Sequence, residues 1–145
     1  MATSQPTATR AGLRVLERGG NAADAALAAA AVLCVTEPMS TGLGGDAFAL
    51  VWDGERLHGL DAAGPAPAGP RPTSPVESSG PRSVTVPGAV RGWAALADRF
   101  GTLGLDTLLA DSITIAEGGF AVGRVTADAW RGLHAPSELG PPPAL

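Results

Sequence analysis

The apolar positions of the first half of the chain change period three times. Between Pro6 and Arg18, residues Ala8, Ala11, Gly12, Val15 and Leu16 recur at the spacing of one helical face, which predicts an amphipathic helix. Pro6 suits its first turn and Gly19-Gly20 its stop. From Ala22 to Val35 the chain is apolar nearly all round, so a second helix should be central and buried. Asn21 can cap it, and Asp24 can face the unpaired N–H groups of its first turn. Ala26 and Ala30, one turn apart, are expected to face close-packed neighbours. Pro38 prevents the helix from continuing.

Beyond the stretch "TGLGGDAF", residues 41–48, the pattern becomes that of strands. Phe48 to Trp52 predicts a strand, Asp53-Gly54 a two-residue hairpin turn, and Arg56 to Leu60 the return strand. Residues 62–82 carry Pro65, Pro67, Pro70, Pro72, Pro75 and Pro81, which predicts a surface loop. An ordered, extended segment lining a cleft is the alternative. "SVTV", residues 83–86, reads as a short strand, followed by a Pro87-Gly88 turn. Ala89 to Phe100 predicts a helix closed by Gly101. Asp106 is expected to cap a helix running to about Glu117 and stopped by Gly118-Gly119. A further short helix is expected from Val125 to Leu133, ahead of a polyproline-like "GPPPAL" tail. Helices interleaved with few strands give an α/β (α+β) class. The 145 residues are enough for one domain with one core, 1–145.

Composition narrows the function classes. Alanine supplies much of the apolar content, so the core must rely on close helix packing rather than on large side chains. Net charge is −4, and the ten basic residues are all Arg, scattered without a basic stripe. Nucleic-acid binding is disfavoured on that ground. Cys34 is the single cysteine and lies in an apolar run, where a buried, inert thiol is expected. Two His and one Cys far apart make no metal-ligand set, and no cofactor motif stands out. No secretory leader pattern is visible, and the run from Ala22 to Val35 contains Asp24 and is too short to span a bilayer. A soluble chain, cytoplasmic by default, is expected.

The glycines of residues 41–48 are the first candidates for chemistry. A phosphate-cradling P-loop needs Gly-Lys-Ser/Thr at a helix start; this loop has no lysine and leads into a strand. A dinucleotide loop runs from strand to helix, the opposite order. The glycines then either let a buried helix pass closely into a strand, or line a pocket for an acyl substrate with their N–H groups. Residue types alone favour the first. Nor is a nucleophile legible: there is no G-x-S-x-G elbow, and His58 and His134 are expected at the surface.

Four segments in order resemble the N-terminal part of the gamma-glutamyltransferase family: "ATRAGLRVLERGGNAADAALAAAAVLCVTEP", "STGLGGDAFALVWDG", "SVTVPGAVRGWAALADRFGTL" and "LLADSITIAEGGFAV". The resemblance rests on the combination of "GGNAADAA", "GLGGD", "VPG" and "AEGGF". It implies part of a helix–sheet–sheet–helix core of an N-terminal nucleophile hydrolase. It also implies a precursor that cleaves itself, the N-terminal Thr of the small subunit then acting as nucleophile for acyl transfer or amide hydrolysis. No catalytic residue of that kind matches within this chain. The chain is therefore expected to be a large-subunit fragment, inactive alone, whose partners are the rest of the large subunit and the small subunit. A non-catalytic module that keeps the same packing is the alternative.

The resemblance implies a small amide or gamma-glutamyl-like substrate near Gly44, Gly45, Asp46 and Ala63. Two departures bear on its identity. Well-characterised members carry an Arg that grips the substrate's α-carboxylate at the position of Ala63, with an acidic neighbour at that of Gly64. Asp46 stands where glutamyl-transferring members usually have another Gly. Poor handling of gamma-glutamyl donors is the expected consequence.

Overall fold

A computed structural model describes residues 1–69, 74–76 and 80–132. The element order is α1 (Pro6–Glu17), α2 (Ala22–Thr36), β1 (Ala47–Trp52), β2 (Leu57–Ala62), α3 (Ala89–Phe100), α4 (Leu105–Gly118) and α5 (Arg124–Gly132). Expectations on Leu133, His134 and the proline tail lie outside the described residues.

Helix α2 is the hub: α1, α3 and α4 all pack on it. Its N-terminus is closed by a complete capping box. Asn21 Oδ1 accepts from the N–H groups of Ala23 and Asp24, while the Asp24 carboxylate accepts from the Asn21 N–H. On one side Ala29 and Val32 meet Ala8 and Ala11 of α1. On the other, Ala25, Leu27, Ala28 and Ala31 form a core with Val15, Trp93 of α3 and Leu108 of α4. The small alanines let the helices approach closely, as the composition requires. Leu16, assigned to the buried face of α1 by its spacing, is 41% exposed instead. It sits at the edge of a stripe that α2 is too narrow to cover.

Helix α1 is also pinned by charge. Arg14 donates through Nε and a terminal nitrogen to Asp111 Oδ2 of α4, at 3.0 and 2.8 Å. Helix α4 begins after Gly104, with no side-chain cap, and Asp106 lies inside its first turn. The expected cap is thus corrected: Asp106 acts on the helix dipole rather than as the capping residue.

β1 and β2 pair antiparallel, from Ala47 opposite Ala62 to Trp52 opposite Leu57. The tip differs from the expected Asp53-Gly54 turn. Asp53 N–H donates to the Arg56 carbonyl, so Gly54 and Glu55 are the central residues, and Gly54 adopts φ +103°. Asp53 is diverted into bracing the turn: its Oδ1 accepts from the N–H groups of Glu55 and Arg56.

The hairpin lays Ala47, Ala49, Val51, His58, Leu60 and Ala62 inward, facing α3, and Phe48, Leu50, Trp52 and Leu57 outward. Among the described residues this gives one helical layer on one face of a two-stranded sheet, a mixed α/β fold. The expected "SVTV" strand does not form. Pro81–Ser83 makes a single 3-10 turn, and Val84 to Val86 run extended with one ladder-like bond, Val86 N–H to the Pro65 carbonyl at 3.0 Å. Pro65 has no N–H to return, so the pairing ends there. The described parts of 62–82 otherwise carry no regular element beyond the end of β2.

Candidate functional site

Three backbone segments converge where α2 gives way to β1. The chain leaves α2 at Thr36, turns through residues 37–45 and enters β1 at Ala47. At the turn's end the Gly45 carbonyl accepts from both Gly88 and Ala89 N–H groups, at 3.0 and 2.9 Å. It thereby satisfies two unpaired donors at the start of α3. Next to it, Asp46 Oδ1 accepts from Gly64 N–H at 3.0 Å and from Thr85 Oγ1 at 3.2 Å. Asp61 Oδ1 accepts from Ala63 N–H at 2.9 Å.

Glycine is required where these segments cross. A Cβ on Gly64 would fall on the Val86 carbonyl, and one on Gly88 on the Ala62 carbonyl. The glycine loop, the strap beyond β2 and the "VPG" turn therefore form one interlocked junction. Of the four candidate residues, Gly45 and Asp46 are tied into it and Ala63 sits on it. Gly44 stands apart at the turn, with open space around its Cα. Thr85 and Gly88 also belong to the junction. The "SVTVPG" motif contained them, but nothing in their types announced that Thr85 would meet Asp46 across 39 positions of sequence.

The electrostatics of the junction are one-sided. The adjacent N–H groups of Ala63 and Gly64 each donate to a carboxylate of the chain itself. Among the described residues no Arg pairs with Asp46 or Asp61. Beneath β1 a cavity of about 280 Å³ opens beside Asp46, lined by Ala26, Ala30, Thr41, Leu60 and Trp93. Ala26 and Ala30 both border this space: Ala26 is exposed and lacks the close-packed neighbours expected of it, whereas Ala30 is half-buried and packs against the core, as expected. The tightly packed alanines lie elsewhere round the helix, at Ala25, Ala28 and Ala29.

Other candidate groups resolve as structural. Cys34 is half-buried rather than buried, with its Sγ 3.9 Å from Thr41 Oγ1, and burial pushes its thiol up. A raised thiol is a poor nucleophile. His58 is not the surface residue expected from its sequence context: its side chain is 10% exposed, with Asp53 on one ring nitrogen and Arg99 on the other. Neither nitrogen is free to serve as a base. Among the described residues no three His, Cys, Asp or Glu side chains come together as metal ligands, and no helix is long and apolar enough to cross a membrane.

Comparison with known proteins assigns the chain to a family. The sequence model described as gamma-glutamyltranspeptidase matches residues 8–138. The glutathione hydrolase proenzyme of Bacillus subtilis strain 168 is 37% identical over 142 residues, covering 89% of this chain and 24% of that protein. The crystal structure of cephalosporin acylase from Bacillus halodurans superimposes with a TM-score of 0.85 at 45% identity, over 90% of this chain and 26% of its own. That of Helicobacter pylori gamma-glutamyltranspeptidase gives 0.81 at 30% identity, over 90% of this chain and 41% of its own. The chain belongs to the gamma-glutamyltranspeptidase family, and its fold is the N-terminal part of that family's large subunit. It spans about a quarter of the length of the B. subtilis proenzyme.

Proposed function

We propose that this chain forms one wall of the acyl-donor pocket of an amide hydrolase or acyltransferase, and that its donor lacks a free α-carboxylate. One observation carries the reading. The adjacent N–H groups of Ala63 and Gly64 each already donate to a carboxylate of the chain itself, on Asp61 and Asp46. A free carboxylate there would meet two negative charges and, among the described residues, no arginine paired with them, and an unpaired charge in a partly desolvated pocket is costly.

The nucleophile in this reading is the N-terminal Thr of a small subunit, supplied from outside these residues, with its own amine as base. Its hydroxyl attacks the amide carbonyl, the amine leaves, and water or an acceptor amine resolves the acyl-enzyme. The partners are thus the remainder of the large subunit and the small subunit. The exposed outer face of the hairpin, with Phe48, Leu50 and Trp52 each more than 60% exposed, supports their packing there.

The purified 145-residue chain is expected not to turn over a chromogenic gamma-glutamyl anilide. Turnover that survives repurification and disappears on substituting a residue of this chain would overturn that part. In the assembled enzyme, the anilide lacking the α-carboxylate is expected to be the better donor. Ala63→Arg should restore one or two charge-assisted bonds of about 1.5–3 kcal/mol each, raising kcat/KM on the gamma-glutamyl anilide by about ten- to several-hundred-fold. A preference of the unsubstituted enzyme for the gamma-glutamyl anilide refutes the donor assignment. Adding an acidic neighbour through Gly64→Glu is not a usable companion, because its Cβ would collide with the Val86 backbone.

A further inference from the structure

The hairpin and α3 meet at a polar clasp away from the junction. His58 lies on the inner face of β2, its side chain 10% exposed. Its Nε2 is 2.6 Å from Asp53 Oδ2 at the hairpin tip. Its Nδ1 is 3.0 Å from a terminal guanidinium nitrogen of Arg99 on α3. The Arg99 guanidinium sits over the Phe100 ring at 5.1 Å, and that ring tilts against the imidazole at 5.1 Å.

These contacts fix the state of the ring. A guanidinium only donates, so Nδ1 must accept. The single ring proton then sits on Nε2 and is donated to Asp53. His58 in this arrangement is the neutral Nε2–H tautomer. Arg56 Nε also points at Nε2, at 3.3 Å, but the carboxylate contact at 2.6 Å is much the shorter and takes the ring proton, so Arg56 stays beside the pair through its 4.0 Å contact with Asp53. Asp53 itself stays ionised. Hydrogen bonds from the Arg56 backbone, from His58 and from the Glu55 backbone hold its carboxyl far below the usual range. The charged groups facing the ring are therefore Asp53 and Arg56 from the tip and Arg99 from α3. From the neighbouring start of α2, Asn21, Ala22 and Ala23 line a cleft with Asp53 and Phe100, and none of the three is charged.

We propose that His58 is a proton-operated clasp: neutral, it ties the hairpin to α3 through Arg99, and protonated, it releases α3 and ties only to the hairpin tip. A proton taken from solvent binds Nδ1, where the free lone pair is. Nδ1 then becomes a donor facing a donor, and two cations are brought together at hydrogen-bond distance. The bond to Arg99 breaks. The bond to Asp53 lies within the hairpin and becomes charge-assisted, so it persists. One proton thus moves the ring's allegiance from between elements to within one element.

The test is a pH series on the 145-residue chain, reading the imidazole nitrogens of His58 and their coupling to Arg99 by NMR. Above the ring's titration the Nε2–H tautomer and an Arg99–His58 hydrogen bond are expected. Below it the bond to Arg99 should vanish while the one to Asp53 remains. Arg99→Gln supplies the control, because a rotated amide can accept from a protonated Nδ1. In that variant the glutamine should stay bonded to His58 through acidification. An Nδ1–H tautomer at high pH, or an Arg99–His58 bond unchanged through the titration, overturns the proposal. So does a glutamine that parts from His58 at the same pH as the arginine does, since repulsion would then not be the cause.

Discussion

Asp24 shows how one side chain can be half legible in sequence. Its place three residues after Asn21 announced the capping box, and the structure contains it. Nothing announced that the same carboxylate accepts from Thr102, through its N–H at 3.1 Å and its Oγ1 at 2.6 Å, 78 positions away. Burial pushes the Asp24 carboxyl up, but the Thr102 hydroxyl and the backbone N–H groups of Asn21, Thr102 and Leu103 outweigh it, and the net shift is downward. A depressed carboxyl contributes stability that is present above its unfolded value, about 3.9, and disappears as pH falls through the folded value. Asp24→Asn should therefore cost about 1–3 kcal/mol near neutrality. The penalty should shrink below about pH 4, where the unfolded carboxyl takes up its proton first, and disappear at lower pH once the depressed native carboxyl is protonated as well. Urea midpoints across this acidic range and up to neutrality measure both, and a pH-independent difference would show that charge is not the cause. Asp46 makes a weaker, exposed version of the same kind of tie. Asp46→Ala should speed hydrogen exchange at Gly64 N–H, while Asp46→Asn, which keeps an accepting oxygen, should leave it nearly as slow. Equal exchange in the native chain and both variants would mean that Asp46 does not hold the strap.

Among the elements, the helices were legible because their signals are local: Pro6 in a first turn, Gly101 at a stop, an apolar run too continuous for a surface helix. The hairpin was legible for the same reason, but its turn centre moved by one residue once the Asp53 side chain was drawn to the backbone. The missing "SVTV" strand failed for a non-local reason, since a strand needs a partner and Pro65 offers only a carbonyl. The faces of α2 were the least legible. An all-apolar helix carries no stripe to say which alanine touches what. The structure distinguishes them, and the distinction is measurable. Ala29→Leu should overpack the interface with Ala8 and Ala11 and cost about 1–3 kcal/mol. Ala26→Leu points into the cavity under β1 and should cost less or nothing. Equal falls in thermal stability in the two variants would contradict the assignment of faces.

For the molecule as a whole, the family and the order of its motifs could be read from the sequence, whereas the ties of Ala63 and Gly64 to Asp61 and Asp46 could not. They depend on two carboxylates reaching backbone groups that only the fold brings near. The outer hairpin face makes a further claim at this scale. Phe48, Leu50, Trp52 and Leu57 form a contiguous apolar ladder on two edge strands, which is a surface prone to association. The isolated chain should bind a hydrophobic dye and self-associate, and Leu50→Lys should lessen both without lowering the melting temperature. An unchanged sedimentation profile in that variant would place the association elsewhere. The bond from Val86 N–H to the Pro65 carbonyl has another consequence, one of polymer statistics. It brings together the two ends of the proline-rich segment, and the entropy of joining two chain positions grows only with the logarithm of the number of residues between them. Doubling that number costs about 0.6 kcal/mol. Evolution can therefore lengthen, shorten or rewrite the segment at little thermodynamic penalty to the alanine-packed helices.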